Sequence, residues 1–280
     1  MSKKETLTIL EKIDVRFIYG TLLLTLAFVT LVPIGLPFTI GEQSKKAYNL
    51  IEALPAGTVV GFVPDLDAMG WLQGGPPAIA YARHLFRRPL KIVIFVMLST
   101  DAVGLTFSIL DQVKPETLGK KYGEDWIFLG YAAGGEAAYA ASADDLWRTF
   151  GGRDYYGKSL EDLPLAKSAK SAKDIPLLVV PESGGAAILF VRHWNARYQT
   201  QIICNEPPMI VPQYTAYERA GQISVVNSGL RDGAEYEKLI GQPGLSLAAM
   251  DGLSAATFLL LGYIVIGNIG FLKRKLSKEA

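Results

Sequence analysis

Lys91-Ile92-Val93-Ile94-Phe95-Val96-Met97-Leu98 is the stretch that decides the fold class. After one lysine it is continuously apolar and rich in β-branched residues. It is far shorter than the roughly 20 residues needed to cross a bilayer. It does not alternate apolar with polar, so the strand it predicts is buried on both faces. Strands of that kind belong to parallel sheets covered by helices on both sides.

Working outward, four more apolar runs of strand length appear at 58–63, 126–129, 177–180 and 201–204. Helical patterns lie between them at 78–88, 103–113, 136–150 and 186–198, the second closed by Pro115. Residues 153–174 are polar and read as a long exposed loop. Residues 217–240 read as mostly helical and lead through Gln242-Pro243-Gly244 into a second apolar block. The alternation predicts one Rossmann-like or flavodoxin-like three-layer α/β domain with a mainly parallel sheet, over residues 42–244. Local sequence does not encode the strand order.

The chain has 280 residues, of which 50% are hydrophobic and 20% charged. Soluble domains carry about a quarter charged residues. The difference sits in two charge-free blocks, 17–41 and 252–272. Both reach membrane-spanning length, which predicts transmembrane helices over 17–40 and 247–272. Pro33 and Pro37 lie at the far end of the first and are expected to kink or end it. Its apolar run exceeds that of a signal peptide, and no clear small-x-small site follows. The tails, 1–16 and 273–280, hold Lys3, Lys4, Lys12, Arg16, Lys273, Arg274, Lys275 and Lys278. Basic tails predict both termini in the cytoplasm and an extracytoplasmic central domain. In the second block, Gly262, Gly267 and Asn268 are small or polar positions suited to helix packing in lipid.

The formal net charge is +1, and with the basic tails set aside the central segment is slightly acidic. Nucleic acid is therefore a poor partner. The expected partners are the lipid bilayer and other membrane-protein subunits or further copies of the chain. Cys204 is the only cysteine, so no intramolecular disulfide and no cysteine-based zinc site can form.

In open α/β sheets ligands bind beyond the carboxyl ends of the strands. That rule gathers one candidate rim: Asp65 and Asp67, then Ser99, Thr100 and Asp101, then Gly130, Gly134, Gly135 and Glu136, then Glu182, Ser183 and Gly184, then Asn205 and Glu206. The glycine turn at 130–135 is neither GxGxxG nor a Walker loop, and Ser183 lacks a GxSxG setting. Of the two histidines, His84 reads as a surface or cap residue, and His193 falls too far along its helix to serve Ser183. No metal site is expected from so few histidines.

Val60-Gly61-Phe62-Val63-Pro64-Asp65-Leu66-Asp67, followed by a strand that ends in Ser99-Thr100, resembles the start of a haloacid-dehalogenase-type phosphatase. The resemblance implies Asp65 as nucleophile, Asp67 as acid/base, and Ser99 or Thr100 as phosphoryl holder; separately, the carboxylate-rich rim could take a divalent cation. It covers only this part of the chain. Ala68-Met69 stands where that family carries Gly-Thr/Val, and its lysine and final aspartate pair have no clear counterpart. The plainer reading is that Asp65 and Asp67 cap a turn or the next helix.

Before the second apolar block, Gly221, Gly229, Arg231, Gly233, Glu235 and Glu237 form a mixed-charge, glycine-containing segment. Glycine destabilises a solvated helix by about 1 kcal/mol, so these glycines suggest close packing and a partner-docking face. The leading expectation is a membrane-anchored, non-catalytic scaffold or accessory subunit that presents the α/β domain for protein or ligand binding, with no cofactor. The alternative is an exported, metal-dependent phosphatase-like hydrolase using Asp65 and Asp67.

Overall fold

The computed structural model describes residues 14–32, 35 and 37–279. Pro33, Lys3, Lys4 and Lys12 lie outside the described residues, as do the side chains of Lys273, Arg274 and Lys278. The chain forms two compact units. One joins the two terminal segments, and the other is Thr39–Ser246.

In the larger unit, helix α2 (Glu42–Glu52) precedes β1 (Val59–Phe62), α3 (Trp71–Arg87), β2 (Lys91–Val96), α4 (Asp101–Val113) and β3 (Trp126–Tyr131). Then come α5 (Glu136–Asp144), β4 (Leu177–Pro181) and α6 (Ala186–Phe190), which runs on as a π-helical turn over Val191–Asn195. β5 (Gln201–Glu206), α7 (Val211–Arg219), β6 (Val225–Ser228) and α8 (Gly229–Leu239) complete the unit. The terminal unit holds α1 (Val15–Leu31), while α9 (Leu245–Glu279) begins at the end of the domain and continues into that unit.

The six strands form one parallel sheet in the order β3-β2-β1-β4-β5-β6. This is the Rossmann order, and it decides against a flavodoxin-like order. Strand residues alternate between two cores. Val93, Phe95, Leu178, Val180, Ile202 and Cys204 face one helical layer. Ile92, Ile94, Leu177, Val179 and Ile203 face the other. Burial on both faces is why these strands read as unbroken apolar runs.

Three local expectations are corrected. β6 falls inside a stretch read as helix, because four residues between two helices leave no periodic signature. Residues 153–174 are exposed in part but pinned to the core at intervals. Leu160, Leu163, Ala166, Ala169 and Ala172 are buried, and their spacing of three matches the three 3₁₀ turns that carry them. Helix α3 starts at Trp71, ahead of the predicted Ala78, and contains Pro76 and Pro77. Their missing donors would have met carbonyls of the exposed residues Leu72 and Gln73, where water can serve instead.

Among the described residues, one helical stretch is long and apolar enough to cross a membrane, Leu245–Ile269. The first apolar block yields α1, of 17 residues, which is shorter. Within the terminal unit these helices touch: Thr21 Oγ1 and Tyr263 Oη lie 2.6 Å apart, and Leu26 packs beside Gly252. The Gly35 N–H donates to Asp251 at 2.7 Å. Within this chain Gly262 and Gly267 face open space, and Asn268 donates to its own helix at Ile264.

Candidate functional site

The switch point of a Rossmann sheet lies between β1 and β4, where the strand order reverses. Here the loops after those strands are joined. Asp65 and Glu182 extend the pairing as an isolated parallel bridge. Ser183 Oγ accepts from the Asp67 N–H at 2.9 Å and donates to Asp67 Oδ1 at 3.1 Å. Gly70 packs directly on Ser183, where a Cβ would collide with the serine side chain, so only glycine allows this approach. The structure thus brings Asp65, Asp67, Glu182, Ser183 and Gly184 together.

Asp65 is fully buried. Its Oδ1 accepts from the N–H groups of Met97 at 2.7 Å and Leu98 at 3.0 Å, and its Oδ2 from Tyr139 Oη at 3.3 Å. The carboxylate therefore ties the end of β2 to the end of β1. Burial pushes its pKa up to about 7, against the pull of the two backbone donors. Asp67 caps the following turn by accepting from the Gly70 N–H at 2.6 Å. The capping reading describes Asp67 and is corrected for Asp65, which bonds the end of β2 and Tyr139 and caps neither a turn nor the next helix.

Glu182 is also buried and occupies the start of α6. It accepts from the N–H groups of Ala186 and of Ala187, the latter at 2.7 Å, and from Tyr214 Oη at 3.3 Å. Donors at a helix start favour a carboxylate there. Burial nonetheless raises its pKa. Glu206, in register on β5, has no exposed surface, and neither of its oxygens meets a donor among the described residues. It faces Glu182, with the Cys204 thiol also beside it. Two buried carboxylates this close cannot both be charged. Burial, then the Glu182 charge, raise Glu206 far above the usual range. A proton on Glu206 removes the repulsion and supplies the missing hydrogen bond to Glu182.

The other rim residues lie apart from this cluster. Ser99, Thr100 and Asp101 form the open first turn of α4, with Ser99 Oγ accepting from the Asp101 N–H at 3.2 Å. Gly130 lies in β3 beside Tyr155, and Gly134 and Gly135 turn the chain into α5. Glu136 is exposed and held by Arg192 and His193, whose hydrogen bonds lower its pKa. His84 is a further correction. It is buried, 2.6 Å from Tyr236 Oη and 2.9 Å from Glu52.

The expected docking segment divides. Gly233, Glu235 and Glu237 are enclosed by the domain, not offered to a partner. Gly233 packs on Pro77 and Ser246. Glu235 accepts from the Gly41 N–H at 2.7 Å, and Glu237 from the N–H groups of Gly244 and Ser246 at 2.9 Å each. Gly229 packs on Pro208. Gly221 and Arg231 remain exposed. Burial of the two glutamates could not be read from a mixed-charge pattern.

Tyr139 and Tyr214 went unrecognised in the sequence. They sit inside helices and carry no motif, yet each sends a hydroxyl to a buried carboxylate. Among the described residues no group of three or more His, Cys, Asp or Glu is arranged to hold a metal ion. A cleft of about 710 Å³ opens at the opposite, amino edge of the sheet, lined in part by Arg87, Arg88, Lys91, Lys120 and Asp125. Its size does not make it the chemical centre. Lys120 donates to the carbonyls of Arg88 and Leu90, Lys91 pairs with Asp125, and Arg88 with Glu52.

Fold and site define a Rossmann-like α/β domain whose switch point is filled by its own carboxylates. Compared with known proteins, the chain matches no family model and no curated sequence.

Proposed function

We propose that this chain is a membrane-anchored, non-catalytic subunit that presents its Rossmann-like domain to a larger membrane assembly. The observation that carries this reading is the filled switch point. Where such folds bind ligands, Asp65, Glu182 and Ser183 are bonded to the chain itself. The apolar stretch Leu245–Ile269, with α1 paired to it, supports a two-helix anchor that keeps both termini on one side. Basic tails favour the cytoplasm for that side. Arg231 and Gly221 are the exposed members of the expected docking segment. Phosphoryl transfer gains no support, because both Asp65 oxygens are spent on Met97, Leu98 and Tyr139.

The test is purification of the full chain from its native membrane in mild detergent, with native mass spectrometry. A stoichiometric complex with another membrane protein, or with further copies, is expected. A strictly monomeric particle overturns the reading.

A further inference from the structure

Three apolar side chains of the domain stand out from the surface. Met69 is 86% exposed, Leu72 75% and Met209 79%. No other large apolar side chain of Thr39–Ser246 exceeds 54%. All three belong to loops or first turns at the carboxyl edge of the sheet. The contacts beneath them make one crest. Gly70 packs on Ser183, Gly184 lies against Ile210, and Gly229 lies against Pro208 and Gln73.

Charge at the crest is confined to its margin, at the part-exposed Asp67. Residues 68–82 and 207–217 contain no Asp, Glu, Lys or Arg. Trp71 heads α3 within the first stretch, its ring folded over Gly75. Tryptophan beside exposed apolar residues is the composition of a membrane–water interface.

The chain connections join α8, the helix that starts at the crest. Gly41 and Ser246, the two ends of the domain, are bonded to Glu235 and Glu237 of α8. Ser246 Oγ lies beside Gly233, one helix turn from Gly229, which touches the crest at Pro208 and Gln73. One turn rises about 5.4 Å. The apolar stretch Leu245–Ile269 starts at that point.

We infer that the carboxyl edge of the sheet seats on a lipid bilayer, with Met69, Leu72 and Met209 entering its interfacial layer. The inference rests on the membrane-anchored reading above and adds which edge of the domain meets lipid. It also gives the filled switch point a setting, since a crevice pressed against headgroups has little access to soluble ligands.

The test uses the full chain in phosphatidylcholine nanodiscs, with and without a lipid carrying a nitroxide near the headgroup end of its acyl chain. Cys204 is buried and stays unlabelled. Single-cysteine additions Met209→Cys, Ile264→Cys and Glu116→Cys are labelled with an environment-sensitive fluorophore. Nitroxide quenching at least twofold stronger at Met209→Cys than at Glu116→Cys, on the opposite edge, is expected. Quenching at Ile264→Cys with Met209→Cys no more quenched than Glu116→Cys overturns the inference and leaves the anchor standing. Shielding of Met209→Cys from aqueous iodide without nitroxide quenching means that protein covers the crest, and also overturns it. Absence of quenching at Ile264→Cys removes the membrane-anchored reading and this inference with it.

Discussion

Glu206 turns its carboxyl group toward that of Glu182 on the neighbouring strand end, with the Cys204 thiol beside it. The register that pairs Val180 with Cys204 and Pro181 with Asn205 sets the two side by side. Adjacent strands are about 4.8 Å apart, so the pair holds a proton that either glutamate would release in the unfolded chain.

That proton gives stability a sign. The folded pKa of Glu206 lies above the unfolded value of about 4.3. Above that pH, unfolding releases a proton, so this pair's contribution falls as pH rises. Asp65, raised to about 7, acts in the same direction between its ordinary carboxylate range and 7. Glu206→Gln keeps a donor for Glu182 and has no proton to lose. Its melting midpoint, followed by circular dichroism from pH 5 to 9, should gain on the wild type as pH rises. In a domain of this size each kcal/mol shifts the midpoint by about 2–4 °C. A pH-independent difference would refute the shared proton.

His84 carries the opposite slope. Burial lowers its pKa, against the hydrogen bond it donates to Glu52. Below the unfolded histidine value of about 6.5, unfolding takes up a proton, so stability falls as pH drops. His84→Phe keeps a ring beside Tyr48, which stacks on His84 at 5.0 Å. It should flatten the acid limb of the stability profile, at some cost in midpoint from the lost bond to Tyr236.

Asp65 should behave as a structural clamp. Asp65→Ala removes the acceptor of the Met97 and Leu98 N–H groups, and leaving the buried one, on Met97, unpartnered costs about 1–3 kcal/mol. Asp65→Asn keeps an acceptor and should lose less. Denaturant titration of the full chain in detergent ranks the two, and equal losses would contradict the clamp.

Gly70 and Ser183 should be strongly coupled. Gly70→Ala drives a methyl group into Ser183 and should destabilise by about 1–3 kcal/mol, the range for overpacking. In a Ser183→Gly background most of that penalty should vanish. A double-mutant cycle measures the coupling, and additive effects would contradict the contact.

The parallel sheet was legible because strands such as Lys91–Val96 are buried on both faces and so lack polar interruptions. Strand order was not, since a parallel pair is made by residues far apart in the chain. The packed stretch 153–174 carried its signal at a spacing of three, a period too short-lived to be noticed among lysines and serines. The rim rule gathered Asp65, Glu182 and Ser183 correctly. That they would be filled inward depended on Tyr139 and Tyr214, contributed by helices elsewhere. Of the two apolar blocks, the second became a single helix of 35 residues, and the first was cut to 17.

Glu235 and Glu237 stand two residues apart on α8, and each holds one end of the domain. Tension drawn through either connection therefore enters the same short helix first. The two ends can accordingly be released one at a time: neutralising Glu235 removes the acceptor at Gly41, and neutralising Glu237 removes the acceptor at Gly244 and Ser246.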